Sequence, residues 1–206
     1  MLSDSLAFYL ELVSVCFALV YLALAIPQSL WCWPAALVST AVWMLVSFDA
    51  KLYMDAGLQV FYFCMGVYGW QQWQRGGADH AGIRVHWWRL RTNALVIALI
   101  VLVSLGFGFG LSRWSDAAFP YLDSLTTVAA VVATFMVARK VIENWIYWFV
   151  IDSIYIYLYI ERDLFYYAAL YAVYLVMIVF GFGAWQKSLR PKLIADDPVT
   201  DAAAVS

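Results

Sequence analysis

The chain alternates long apolar runs with short polar breaks. Runs of mostly apolar residues fall at 7–26, 31–48, 56–74, 92–111, 119–138, 143–160 and 164–186. About 20 such residues are what an α-helix needs to cross the hydrocarbon of a bilayer. The breaks carry charges or helix stoppers: Pro27-Gln28, Asp49-Ala50-Lys51, the stretches 75–91 and 112–116, Arg139-Lys140 and Glu161-Arg162-Asp163. The pattern predicts an all-α integral membrane protein with seven transmembrane helices. The stretch 188–206 has two prolines and three aspartates and is expected to be a disordered cytoplasmic tail.

Composition agrees with lipid as the solvent. Of 206 residues 66% are apolar, 18% aromatic and only 13% charged. Soluble domains carry about 25% charge, so this chain has too little polar surface to coat a globule in water. A net charge of −2 excludes a nucleic-acid footprint, which needs a clustered basic excess. Cys16, Cys32 and Cys64 sit in apolar runs without CxxC spacing and read as small core residues. His80 and His86 share one polar loop without further ligands, so no metal or cofactor is expected. Walker, GxSxG and HExxH motifs are lacking, which speaks against an enzyme or an ATP-driven pump. No basic stretch precedes the first apolar run, so no signal peptide is expected.

Lysine and arginine set the orientation. With the N-terminus outside, the cytoplasmic side receives Arg75, Arg84, Arg89, Arg91, Arg139, Lys140, Lys187, Arg190 and Lys192, and the outer side only Lys51, Arg113 and Arg162. The positive-inside rule favours that arrangement, N-terminus periplasmic and C-terminus cytoplasmic in a bacterial inner membrane.

The chain also matches itself. At an offset of 112 residues Tyr9-Leu10-Glu11 meets Tyr121-Leu122-Asp123, Trp33 meets Trp145, and Tyr62, Met65, Gly69, Trp73 and Gln74 meet Tyr174, Met177, Gly181, Trp185 and Gln186. Spans one to three (7–75) then form one repeat, spans five to seven (119–187) the other, and span four (92–111) links them within one transporter domain, 1–187. Four crossings between equivalent points make the repeats parallel. This 3+1+3 order is SWEET-like, and in carriers built from repeats the solute sits near the midplane between the halves.

Polar groups inside spans need a reason, because each is expensive in lipid. The sixth span is richest: Asn144, Trp148, Asp152 and Tyr155 recur at helical spacing and share a face. The third adds Gln59, Tyr62 and Trp73, the fifth Asp123 and Thr126, and the seventh Tyr171 and Tyr174. Asp152, about ten residues into a span, is too short to reach the interface and is the strongest candidate for the solute path. Indole and phenol faces beside an acid suit a flat cationic ring. Other residues read more simply. Trp31, Trp33, Trp87, Trp88 and Trp114 suit interfacial anchoring. Gly66, Gly69 and Gly181 suit close packing, and Gly106, Gly108 and Gly110 suit a small-residue packing face.

With these residues in view, the chain resembles the PnuC-type nicotinamide riboside transporters from Tyr9 to Lys187. The carrying motifs are Ala50-Lys51-Leu52-Tyr53 with Asp55-Ala56-Gly57-Leu58-Gln59, then Tyr68-Gly69-Trp70-Gln71-Gln72-Trp73, then Tyr121-Leu122-Asp123 with Thr126-Thr127. The last is Ala138-Arg139-Lys140 leading into Glu143-Asn144-Trp145 through Asp152. The resemblance implies vitamin uptake by facilitated diffusion, a homotrimer in lipid, and a cytoplasmic kinase that traps the solute for NAD biosynthesis. It maps binding onto Asn144, Trp145, Trp148, Asp152, Gln59 and the segment from Trp70 to Trp73. Relatives that carry thiamine or a flavin, and a proton-coupled carrier using Asp152, are the alternatives.

Overall fold

The structure is a computed structural model that describes residues 3–77, 80–115 and 119–189. Seven helices follow in order among them: α1 Asp4–Ala25, α2 Cys32–Asp49, α3 Tyr53–Arg75, α4 Leu90–Trp114, α5 Pro120–Ala138, α6 Asn144–Ile160 and α7 Phe165–Leu189. Each apolar run of the sequence holds one of them. Five, α1, α2, α4, α5 and α7, are long and apolar enough to cross a membrane. α3 carries Asp55, Gln59 and a glutamine-rich end, and α6 has 17 residues, about 26 Å of rise. Of the expected disordered tail, Ser188 and Leu189 continue α7, and 190–206 lie outside the described residues.

The ends of the helices show how the chain turns. α5 opens on Pro120, whose fixed φ suits a first helical position. α1, α2, α5 and α6 each close on a non-glycine residue in the left-handed region: Gln28 (φ 60°), Lys51 (φ 61°), Lys140 (φ 54°) and Asp163 (φ 57°). In each case the following amide bonds back to the fifth carbonyl before it, Ser29 to Leu24, Leu52 to Ser47, Val141 to Met136 and Leu164 to Tyr159, at 2.8–2.9 Å. These are Schellman closures, which satisfy the last carbonyls of a helix. Gln28 and Lys140 lie 112 residues apart, as do Lys51 and Asp163.

Packing follows the same offset. α2 packs between α1 and α3, α6 between α5 and α7, and α3 lies against α5, whereas α1 and α7 barely meet. α4 packs chiefly on α5, and the Tyr147 hydroxyl of α6 donates to its Asn93 Oδ1 at 3.3 Å. At the end where α1, α3, α5 and α7 finish, four indoles form a chain: Trp33 on Trp73 (5.3 Å between centroids), Trp73 on Trp185 (5.9 Å) and Trp185 on Trp145 (5.4 Å), all edge to face. Such pairs are worth about 0.5–1.5 kcal/mol each beyond the area they bury. The chain crosses between halves through hydrogen bonds as well. Trp73 Nε1 donates to Val137 O (3.2 Å), and Trp185 Nε1 donates to Ala25 O (3.0 Å). Donors and acceptors are both related by 112 residues.

Several sequence expectations need correction here. Trp33 is 1% exposed and belongs to the core, because Gly69 leaves room for its ring, whereas Trp31 and Trp114 stay on the surface. Cys16 and Cys64 are exposed on the helix surfaces, and only Cys32 is buried. Gly108 packs against Tyr121, but Gly106 meets nothing within 4 Å and Gly110 meets only Trp114 of its own helix. Residues two apart point to nearly opposite sides of a helix, so the three glycines cannot form one face.

The connection between α3 and α4 is strapped under the indole chain. His86 N donates to Lys140 O (3.1 Å) and Ile142 N to His86 O (3.0 Å), a single β-bridge. Buried Glu143 anchors the strap, its Oε1 accepting from Trp88 N (2.9 Å) and Asn93 Nδ2 (2.7 Å). Ile83 and Val85 pack onto the indole cluster from below.

Two outcomes follow from this packing. A Cβ at Gly181 would overlap the Trp145 ring, so Gly181→Ala should lower stability by about 1–3 kcal/mol. Gly183→Ala, with nothing within 4 Å of its Cβ, should leave stability unchanged. Thermal unfolding in detergent separates the two, and equal midpoints would refute the packing account. Glu143→Ala removes both anchoring bonds of the strap and should speed tryptic cleavage after Arg84 or Arg89 by about tenfold. An unaltered digestion rate would show that the strap is held elsewhere.

Candidate functional site

A partly open cavity lies among α1, α5, α6 and α7. It occupies the side where α1 and α7 stand apart. α6 supplies its chemistry, with Asn144, Trp145, Trp148, Asp152 and Tyr155 on one wall. These positions are spaced by one, three, four and three residues, which keeps them on one side of a helix. α7 adds Tyr171, Tyr174 and Ile178; α1 adds Ala18, Tyr21, Leu22 and Ala25; and Val137 of α5 meets the foot of the cavity.

Asp152 is 4% exposed and has no hydrogen bond or ion pair among the described residues. Its carboxylate lies close to Tyr155, Tyr171 and Tyr174. A buried acid with no cation opposite it attracts a positive group strongly, because little solvent screens it. Asn144 is fully buried. Its Nδ2 donates to Val141 O at 2.6 Å, tying the side chain to the turn before α6, while Oδ1 has no partner. Trp145 Nε1 is likewise buried and unpaired. Unmade hydrogen bonds of this kind are destabilising unless a ligand or water completes them.

The foot of the cavity is shut by the indole chain, since Trp145, Ala25 and Val137 belong to both. Below it, Lys140 Nζ sits 4.5 Å from the centroid of Trp73. Burial holds that ammonium below the ordinary lysine pKa, with Cys32 nearby opposing the shift. Arg139 Nη1 reaches Tyr68 Oη (3.3 Å) and Gln72 Oε1 (3.4 Å).

Of the thirteen candidates named from the sequence, the cavity brings together Asn144, Trp145, Trp148, Asp152, Tyr155, Tyr171 and Tyr174. Trp73 lies in the indole chain, and Trp70 packs against it. Asp123 faces Arg162 at 3.9 Å near the opposite end. Thr126 turns its hydroxyl onto Leu122 O and Asp123 O of its own helix and lines a separate apolar groove with α4 and α6. Gln59 and Tyr62 are half-buried on α3, outside the cavity. The α1 wall was not anticipated, because three of its four members are aliphatic and carry no local chemical signal. Tyr21 was the available clue, a phenol deep in an apolar run that packs 6.1 Å from Trp33.

Comparison with known proteins places this arrangement. The nicotinamide riboside transporter PnuC of Escherichia coli strain K12 is 24% identical over 76% of each chain. The riboflavin/roseoflavin transporter RibM of Streptomyces davaonensis is 28% identical over 93% of each. A crystal structure of the vitamin B3 transporter PnuC superposes with a TM-score of 0.70, covering 89% of this chain and 83% of that one at 21% identity, which establishes a shared fold. A sequence model described as nicotinamide mononucleotide transporter matches residues 8–187. With nearly all of its helical part matched, the chain belongs to the nicotinamide mononucleotide transporter family, a family of membrane transporters rather than enzymes.

Proposed function

We propose that the protein takes up nicotinamide riboside across a bacterial inner membrane by facilitated diffusion, with a cytoplasmic kinase trapping the solute. One observation carries this reading: a buried carboxylate without a cation, Asp152, faces three phenols and an indole in a cavity closed at its foot. A planar cation meets each need of that cavity. Its ring lies on Trp148 or the tyrosines, its charge answers Asp152, and a carboxamide or ribose hydroxyl reaches the free Asn144 Oδ1. Gln59, Tyr62, Trp70, Trp73, Asp123 and Thr126 are then residues that meet the solute path in another arrangement of the two halves.

In this reading the seven helices all span, in a 3+1+3 order with parallel repeats. The paired closures and the exchanged indole bonds support it. The N-terminus faces the periplasm and the basic loops the cytoplasm. The indole chain is then the inner seal, and the protein assembles as a homotrimer.

Riboflavin is the second reading, favoured by the greater coverage of the RibM relative. Charge separates the two. Equilibrium titration of the purified protein should give tighter binding of nicotinamide riboside than of riboflavin or thiamine. Asp152→Asn should weaken the cationic riboside about tenfold and leave neutral riboflavin within about twofold. Trp148→Ala should weaken the riboside by about 1–2 kcal/mol. If riboflavin binds best and ignores Asp152→Asn, the flavin reading replaces the first. If no vitamin binds, both fail.

A further inference from the structure

The tyrosines of the cavity do not end at its edge. Tyr171 lies 5.1 Å from Tyr155 between ring centroids, and Tyr155 lies 6.1 Å from Tyr159 with 25° between planes. Tyr159 in turn stacks on Tyr167 at 5.4 Å, again at 25°. Tyr155 and Tyr171 line the cavity, whereas Tyr159 and Tyr167 lie beyond it toward the end of the bundle away from the indole seal. Tyr167 is 40% exposed, and its hydroxyl donates to Glu11 Oε1 at 3.0 Å, across the gap between α7 and α1. Glu11 has no cationic partner among the described residues, while Asp123, also near Tyr159, is matched by Arg162.

Among the described residues the other half has no such series. The residues 112 positions before Tyr159 and Tyr167 are Ser47 and Asp55. They bond to each other, and Trp43 Nε1 donates to the same Asp55 oxygen at 2.9 Å, which closes that corner with a polar clasp. So one half locks its α2–α3 corner, and the other presents aromatic faces at its α6–α7 corner. The helical packing alone does not require this difference, since both corners use the same backbone closure.

We propose that Tyr159 and Tyr167, with the Glu11 carboxylate, form an outer docking station where a planar, preferably cationic heteroaromatic solute stacks before it moves into the cavity. The station rests on the transport reading above. A solute that first stacks on the exposed ring of Tyr167, which half-buried Tyr159 backs from its place among Tyr155, Tyr167 and Tyr171, is captured at a rate set by the station's affinity multiplied by the rate of transfer inward. Weakening the station slows arrival in the cavity and departure from it by the same factor. The final equilibrium is therefore unchanged, and the station is a kinetic feature of transport rather than part of the tight site.

The test measures two quantities on the same variants: initial uptake into proteoliposomes at low nicotinamide riboside, and the equilibrium Kd of purified protein. Tyr159→Leu and Tyr167→Leu keep bulk but remove the aromatic face. Each should lower initial uptake about two- to fivefold, the weight of an exposed cation–ring contact, with Kd unchanged. Tyr159→Phe and Tyr167→Phe should retain uptake. Unchanged uptake in the Leu variants overturns the station. So does a Kd that weakens in step with uptake, which would put the rings in the central site, or a Phe variant as slow as Leu, which would make the hydroxyl the active part. A parent protein that binds neither riboside nor riboflavin removes the transport reading and the station together, and it does so before any variant is compared.

Discussion

Trp33 and Trp145 can lie inside the bundle because Gly69 and Gly181 offer no side chain where their rings rest. That steric allowance brings α2 against α3 and α6 against α7, and it sets both indoles beside Trp73 and Trp185. Each of the latter then donates its N–H to a carbonyl of the opposite half. The contact between halves is dense here and thin at the far end, where Glu11 and Tyr167 reach across. A partly open cavity bounded at the indole end by Trp145, Ala25 and Val137 is the geometric result.

The same framework carries different chemistry in its two halves. At the position of Asn144 the first half has Cys32, at Trp148 it has Ala36, and at Asp152 it has Thr40. Small residues fill the first half with backbone and packing, as where Ser14 and Ser39 exchange hydrogen bonds between α1 and α2. The second half keeps the unpaired acid and the unpaired amide oxygen. Residues 112 apart thus share the scaffold's packing, and where their chemistry departs they line the cavity.

Much of this was readable from residues alone, for physical reasons that differ by element. Seven helices follow from run length and the position of charges, since lipid leaves backbone groups no other partners. The α6 face followed from spacing, because Asn144, Trp148, Asp152 and Tyr155 are polar groups that lipid would reject. The 112-residue offset at which Trp and Gly positions match is also the offset between the paired helix closures and between the indole bonds. The fate of Trp33 was not legible, because an indole near a run boundary suits an interface or a core equally, and only Gly69 on another helix decides between them. The α1 wall escaped for a similar reason: Ala18, Leu22 and Ala25 join the cavity only through what they face. The Glu143 anchor joins residues 50 and 55 positions apart, a separation at which no local pattern exists.

The exchanged indole bonds also limit how this molecule can be divided. A fragment ending before α5 would keep the Trp73 N–H but lose Val137 O, and one beginning at α5 would keep the Trp185 N–H but lose Ala25 O. Each piece would hold an orphaned donor in an apolar interior, and joining two dissimilar pieces mends both defects at once. The single chain is the smallest unit in which every such bond finds its mate.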